Sequence, residues 1–228
     1  MKVLLGVLRL AGQEFAQRDA HKIRGYIGRQ WEEFDLLHNH KDGRVLYKYP
    51  LVQYKVLRGV PYVIGLAEGV PMVQKIFLEL RELKINDQSY DNFQMELSYD
   101  EAEFGDAGEP VTYQFVTPWL ALNQQNYQKF RSFGIDLDKH ATVQHEIQLD
   151  MLQSILVNNV IAVAKALRYT IGQRHHPIIS VETCEVKFKD QPMLAFKGSF
   201  QMNFHLPDFI GLGKSPARGF GTVKKLLP

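Results

Sequence analysis

His38 and His40 stand two residues apart in the polar run Leu37-His-Asn-His-Lys41-Asp-Gly-Arg44-Val-Leu-Tyr47-Lys48-Tyr49. In extended chain, residues i and i+2 lie about 6.6 Å apart, so two such rings can flank one phosphate. Histidine gives and takes protons near neutral pH. Two histidines in opposite protonation states suit a phosphodiester transfer without metal. One base deprotonates a ribose 2′-OH, which attacks the adjacent phosphorus in line, and one acid protonates the leaving 5′-oxygen. Tyr47 supplies a hydrogen bond or orients a ring, and Lys41, Arg44 and Lys48 supply charge for the non-bridging oxygens. The bland alternatives are an ordinary polar loop for the histidines and a half-buried aromatic for Tyr47. A metal site is a third reading, which Asp35, Asp42 or a distant group would have to complete.

A second constellation closes the chain. Gly211 to Lys225 holds Gly211, Gly213, Gly219 and Gly221, with the cations Lys214, Arg218, Lys224 and Lys225, and no acid. Glycine admits close backbone approach, and consecutive N–H groups in such a turn form a concavity for anions. The segment is not a P-loop, because Asp208 stands where that motif needs glycine and Pro216 opposes the helix that should follow. It is not the dinucleotide fingerprint either, since Pro216 occupies the third glycine position. A phosphate-binding loop and a flexible surface loop are both open on composition. A serine nucleophile elbow is absent.

The elements that must position these groups follow from periodicity. Lys2–Leu8 reads as a strand. Gln13–Trp31 reads as a helix with Ile23, Tyr26, Ile27 and Trp31 on one face. Val45–Leu57 and Pro61–Ala67 read as strands, Met72–Leu83 as an amphipathic helix, and Tyr90–Phe104 as a strand. The order βαββαβ is ferredoxin-like. Acidic, glycine-bearing Tyr99–Pro110 reads as a linker. Beyond it come a strand at Val111–Leu120, helices over Asn123–Phe133 and Leu137–Thr170, strands at Ile178–Lys189 and Leu194–Leu206, and a short strand at Thr222–Leu226. In the second of these long strands Phe196, Phe200, Met202 and Phe204 face one way, and Lys197, Gln201 and His205 the other. His175-His176 reads as a surface turn. Trp119 and Tyr127 fit a core or a partner surface equally.

The expected fold class is therefore α+β, with two tandem ferredoxin-like (RRM-like) domains. Residues 1–107 form the first and carry the histidine site. Residues 108–228 form the second, incomplete, with the glycine-rich loop where its last helix would stand. The net charge of +2 excludes an argument for RNA binding from global charge and asks for local basic patches. A single cysteine, Cys184, excludes an internal disulfide and suggests a reducing cytoplasm. Met1–Leu10 is interrupted by Arg9 and reads as a strand, not a signal peptide. No apolar run is expected to be long enough to cross a membrane.

Tandem ferredoxin-like units, a tail ending Gly219-Phe-Gly-Thr-Val and an N-terminal histidine pair resemble the sixth family of CRISPR-associated proteins. These are RAMP-superfamily endoribonucleases that process CRISPR precursor RNA. The pair with Tyr47 is most similar to the b-type branch. The resemblance covers essentially the whole chain. It implies cleavage within CRISPR repeat RNA without metal or cofactor, leaving a 5′-hydroxyl and a 2′,3′-cyclic phosphate, with the product kept as guide RNA. It implies acid and base roles for His38 and His40, with His40 the preferred base, and an assisting role for Tyr47. It also implies RNA contacts at Lys214 and Arg218, in a loop built on Gly211, Gly213, Gly219 and Gly221. A homodimer and contact with interference-complex subunits stay open as partnerships. Two rival functions remain: a catalytically silent RAMP scaffold that binds RNA, and a metal-dependent phosphodiesterase on the same fold.

Overall fold

The computed structural model describes residues 1–31, 40–41, 44–45, 48–134, 143–188 and 191–226, with backbone alone at 40, 41, 44, 45, 143 and 144. The chain divides into two units. Unit 1 is residues 1–103 together with the short segment Pro216–Gly219, and unit 2 is residues 104–215 with 220–228.

Unit 1 runs β1 (Lys2–Ala11), α1 (Ala20–Gln30), β2 (His40–Lys41), β3 (Arg44–Val45), β4 (Val52–Leu57), β5 (Val60–Leu66), α2 (Val70–Glu79), β6 (Leu83–Ile85), β7 (Gln88–Tyr90) and β8 (Gln94–Glu103). Its sheet has the order β4-β5-β1-β8, with every neighbouring pair antiparallel. That order is the ferredoxin-like arrangement that the βαββαβ pattern calls for. The expected face of α1 is buried: Ile23, Tyr26, Ile27 and the following Trp31 join Leu8, Leu10, Val52, Tyr54, Val56, Val63, Val73 and Ile76 in one core.

Helix α2 begins two residues earlier than expected, at Val70, with Pro71 in its first turn, where a fixed φ and a missing N–H do no harm. It ends earlier as well, because Leu83 belongs to the hairpin β6–β7, which periodicity alone did not reveal. Asn86 and Asp87 turn that hairpin with φ of 52° and 63°, the pair of left-handed residues that a two-residue turn matched to strand twist requires.

Unit 2 runs β9 (Gly105–Trp119), α3 (Gln124–Ser132), α4 (Val143–Ala166), β10 (Ile178–Phe188), β11 (Gln191–His205) and β12 (Val223–Lys225). The sheet order β10-β11-β9-β12 repeats that of unit 1. The last crossover is a glycine-rich segment that holds one 3₁₀ turn in place of an α-helix. Buried Phe196, Phe200, Met202 and Phe204 of β11 meet Tyr113, Phe115 and Trp119 of β9, with Phe115 and Trp119 stacked at 5.1 Å. Trp119 is thus a core residue, and its Nε1 donates to Asn159 Oδ1 at 3.0 Å.

Two expectations are corrected here. Tyr99–Pro110 holds the boundary between the units, after Glu103, but it is not a loop: β8 and β9 occupy it almost without a break. Its acids are those of an edge strand and a strand start. Glu101 pairs with Lys2 at 3.3 Å across β1, and Asp106 is consumed in a partly buried network. The second correction concerns apolar length. Within α4, His145–Ala166 is long and apolar enough to cross a membrane by length and composition alone. Leu152, Leu156, Val160 and Val163 nevertheless form one fully buried stripe, the signature of a helix packed on its own protein.

Candidate functional site

The segment with the histidines connects α1 to β4. His38 and Tyr47 lie outside the described residues, as do Asp35 and Asp42. His40, Lys41 and Arg44 are described by backbone. They form the two-residue ladder β2–β3, with His40 opposite Val45 and Lys41 opposite Arg44. The expected strand from Val45 starts afresh at Val52, after exposed Lys48 and half-buried Tyr49. Among the described residues no group of three His, Cys, Asp or Glu is placed to hold a metal ion.

The glycine-rich segment is a built hairpin and not a loose loop. Phe209 N–H donates to Val223 O at 2.7 Å, Val223 N–H to Ile210 O at 2.9 Å, and Leu212 N–H to Gly221 O at 2.8 Å, with Gly211 bridged to Thr222. Gly221 N–H reaches Pro118 O at 2.8 Å, and Lys214 N–H reaches Leu120 O at 2.8 Å beside Gly213. Gly221, at φ of 61°, passes so close to the Leu212 carbonyl that any Cβ would collide with it. In unit 2 this leaves Lys214 and Lys224 exposed, each over an aromatic ring: Lys214 Nζ is 6.0 Å from the Phe188 centroid, and Lys224 Nζ is 5.6 Å from that of Phe209.

The tip of the segment belongs to unit 1. Pro216–Arg218 is one 3₁₀ turn, and it packs on α1 and on β4, which is an edge strand of its sheet. Gly219, at φ of 87°, would bring a Cβ to 3.0 Å from Ala20 Cβ and 3.4 Å from Tyr54 O. The close approach covers a strand edge that would otherwise be open to another chain. Arg24 lies one helical turn beyond Ala20, and it is near enough to Arg218 to feel its charge. Burial lowers the Arg24 pKa most, and the Arg218 charge lowers it further. Arg218 and Gly219 are therefore set against α1 and β4 within unit 1. Gly211, Gly213, Lys214 and Gly221 form the hairpin of unit 2.

Sequence reasoning did not single out Gln53 and Lys55. Both are 0 % exposed. Lys55 Nζ donates to Gln53 Oε1 at 2.8 Å and to Pro216 O at 3.0 Å. Burial pushes the Lys55 pKa down to about 7. A lysine between Tyr54 and Val56 reads as solvated by alternation, and nothing local marks it otherwise.

Two ferredoxin-like sheets in tandem, with a glycine-rich hairpin in place of the final helix, make a fold shared with a solved structure described as a RAMP protein, at a TM-score of 0.52 and 10 % identity over 100 % of both chains. Family models extend this along the whole chain: the Cas6b N-terminal domain matches residues 1–103 and the Cas6b C-terminal domain residues 105–226. The chain belongs to the Cas6b family. A crystal structure of Cas6b superposes with a TM-score of 0.88 at 31 % identity, covering 99 % of this chain and 100 % of that one. A second, described as a CRISPR RNA processing endoribonuclease Cas6b, gives a TM-score of 0.76 at 27 % identity over 99 % and 100 %. An uncharacterised protein of Methanocaldococcus jannaschii is 31 % identical over 150 residues, which are 65 % of this chain and 95 % of that protein.

Proposed function

We propose that this chain is an endoribonuclease that cuts CRISPR repeat RNA without metal and yields mature guide RNA. The observation that carries this is the end-to-end match to Cas6b, including a relative described as a CRISPR RNA processing endoribonuclease. In the proposed reaction a ribose 2′-OH attacks the neighbouring phosphorus, leaving a 2′,3′-cyclic phosphate and a 5′-hydroxyl. His40 takes the 2′-OH proton, His38 gives one to the leaving oxygen, and Tyr47 holds a ring or a phosphate oxygen. Lys41, Arg44 and Lys48 neutralise charge near the cut. Lys214 and Arg218 grip the RNA backbone, on a hairpin whose glycines let it come close. In this reading residues 1–107 supply the chemistry and residues 108–228 most of the grip.

Labelled repeat RNA from the protein's own locus, incubated in excess EDTA, tests this. Wild type should make a single cut ending in a cyclic phosphate. His38→Ala/His40→Ala should lose about 10²-fold or more of the rate. Binding without a cut would replace this reading with the RNA-binding scaffold. Cutting only after metal is restored would replace it with metal-dependent phosphodiester chemistry. Sedimentation of the protein with and without RNA checks whether a homodimer forms, and co-purification with interference-complex subunits checks the handover of product.

A further inference from the structure

Two aromatic steps beside lysines on the tail of unit 2 serve neither its core nor the proposed chemistry. The phenylalanines of β9 and β11 are all buried: Phe115, Phe196, Phe200 and Phe204. Phe188, Phe209 and Phe220 are only half-buried. Lys224 stands over the Phe209 ring, and Lys214 over that of Phe188, which meets Phe220 edge-on at 5.8 Å between centroids.

Phe209 is held in place at a cost. Its φ of 65° is left-handed, a conformation that suits glycine and is rare for a bulky side chain. Gly213 and Gly221 take the same region in the same hairpin without a side chain. The backbone around Phe209 is fixed: its N–H donates to Val223 O, and Ile210 O accepts from Val223 N–H. A phenylalanine at a glycine-like position, with its ring left half-buried, is explained by what the ring meets and not by the core. Phe220 likewise precedes a fixed point, since Gly221 N–H is bound to Pro118 O and its Cα lies against the Leu212 carbonyl.

A flat apolar ring beside a flexible cation matches one nucleotide: the base stacks on the ring, and the ammonium meets the phosphate. Among the described residues neither Lys214 nor Lys224 is paired with a carboxylate. The acid next to Phe209, Asp208, accepts from Lys225 N–H at 2.7 Å. An exposed lysine resting on a ring gives up little when its stem swings to a phosphate. We infer that Phe209 with Lys224, and Phe220 with Lys214, are stacking subsites for two unpaired nucleotides of the RNA. The tail then holds bases as well as backbone. The inference rests on the RNA-binding part of the proposed function and not on the cut.

The test is the dissociation constant for repeat RNA blocked by a 2′-deoxy at the cut, measured for wild type and variants against an abasic scan of that RNA. Phe209→Gly relieves the backbone as it removes the ring, so its Tm should stay within about 4 °C of wild type. Its affinity should fall about 5- to 100-fold, with the salt slope unchanged. Lys224→Ala should lower that slope by about 0.7, and an unchanged slope overturns the role of Lys224. One abasic position should weaken wild type and cost Phe209→Gly nothing further, as two halves of one contact require. Should Phe209→Gly lose more Tm than that, Phe220→Leu decides the case. It keeps an apolar neighbour for Phe188 and lacks the flat ring, so the same loss is expected at a different abasic position. An affinity loss under about fivefold overturns the inference and leaves the rings to a protein partner. A loss that persists unchanged at every abasic position overturns it as well, because the ring then serves the fold. A wild type that binds but never cuts removes the endoribonuclease reading and leaves this test intact, whereas a wild type that binds no repeat RNA removes both.

Discussion

His175 Nε2 and Asp106 Oδ1 lie 2.7 Å apart, with the imidazole buried edge-on against Phe204 at a centroid distance of 5.3 Å. The segment after α4 is therefore latched to the start of β9, and His175 is not the surface turn residue that its neighbours His176 and Pro177 suggest. Tyr169 Oη donates to Asp106 Oδ2 at 2.9 Å, and Gly172 N–H donates to the same oxygen at 2.8 Å.

Asp106 should act as an acid-labile clamp of unit 2. Burial is the largest influence on its carboxyl and pushes the pKa up. The hydrogen bonds from Gly172 and Tyr169, with His175, outweigh it and hold the pKa below its ordinary 3.8. A carboxyl depressed in the folded state contributes stability above its unfolded pKa and loses it as pH falls through the folded value. Asp106→Ala should cost about 2 kcal/mol at pH 7, because three partners lose their acceptor. That deficit should shrink below about pH 4, as urea titrations at pH 7, 4 and 3 would show.

Lys55 predicts a slope of the same sign on the alkaline side. The unfolded chain binds this proton with the ordinary lysine value of 10.5, and the folded chain with about 7. Between those values the unfolded state holds the extra proton, so folding stability rises with pH by up to about 1.4 kcal/mol per unit and is flat below pH 7. Lys55→Met lacks this contribution. Wild type should therefore gain stability relative to Lys55→Met from pH 7 to pH 9; an equal difference at both would show Lys55 to be ordinarily charged in the fold.

Gly219→Ala should destabilise by about 1–3 kcal/mol, because φ of 87° is a left-handed conformation and the new methyl meets Ala20 Cβ at 3.0 Å. RNA affinity should fall with it if the turn carries a contact. Gly108→Ala is the control: an added methyl there meets nothing within 4 Å. Thermal melts and filter binding on both variants separate a strained turn from a generic loss of glycine.

Arg218→Ala should weaken repeat-RNA binding and lower the slope of log affinity against log salt by about 1, the signature of one lost phosphate contact. An unchanged slope would mean that Arg218 serves the fold beside Arg24 and not the RNA.

Much of the fold was legible in the chain. The apolar face of α1, the alternation of β11 and the βαββ orders depend on periods of 3.6 and 2, which are local properties. The hairpin β6–β7 was hidden, because a three-residue strand leaves too short a pattern and Leu83 also fits the face of α2. The histidine pair and the glycine-rich tail were singled out by residue type and spacing alone, and for His38 and Tyr47 that remains the whole argument.

Tertiary structure decided the rest. In Val52-Gln53-Tyr54-Lys55-Val56 the alternation correctly separates two faces, and it assigns the polar face to water. That face is buried in the folded chain. Pro216, 161 residues further along, supplies the acceptor that Lys55 needs. Whether the glycine-rich tail was a loose loop or a built hairpin was likewise open, since composition is the same for both. The close approach of Gly219 to Ala20 and of Gly221 to Leu212 requires neighbours that only the folded chain brings together. A local pattern says which side chains share a face; what covers that face is a matter of distant segments meeting.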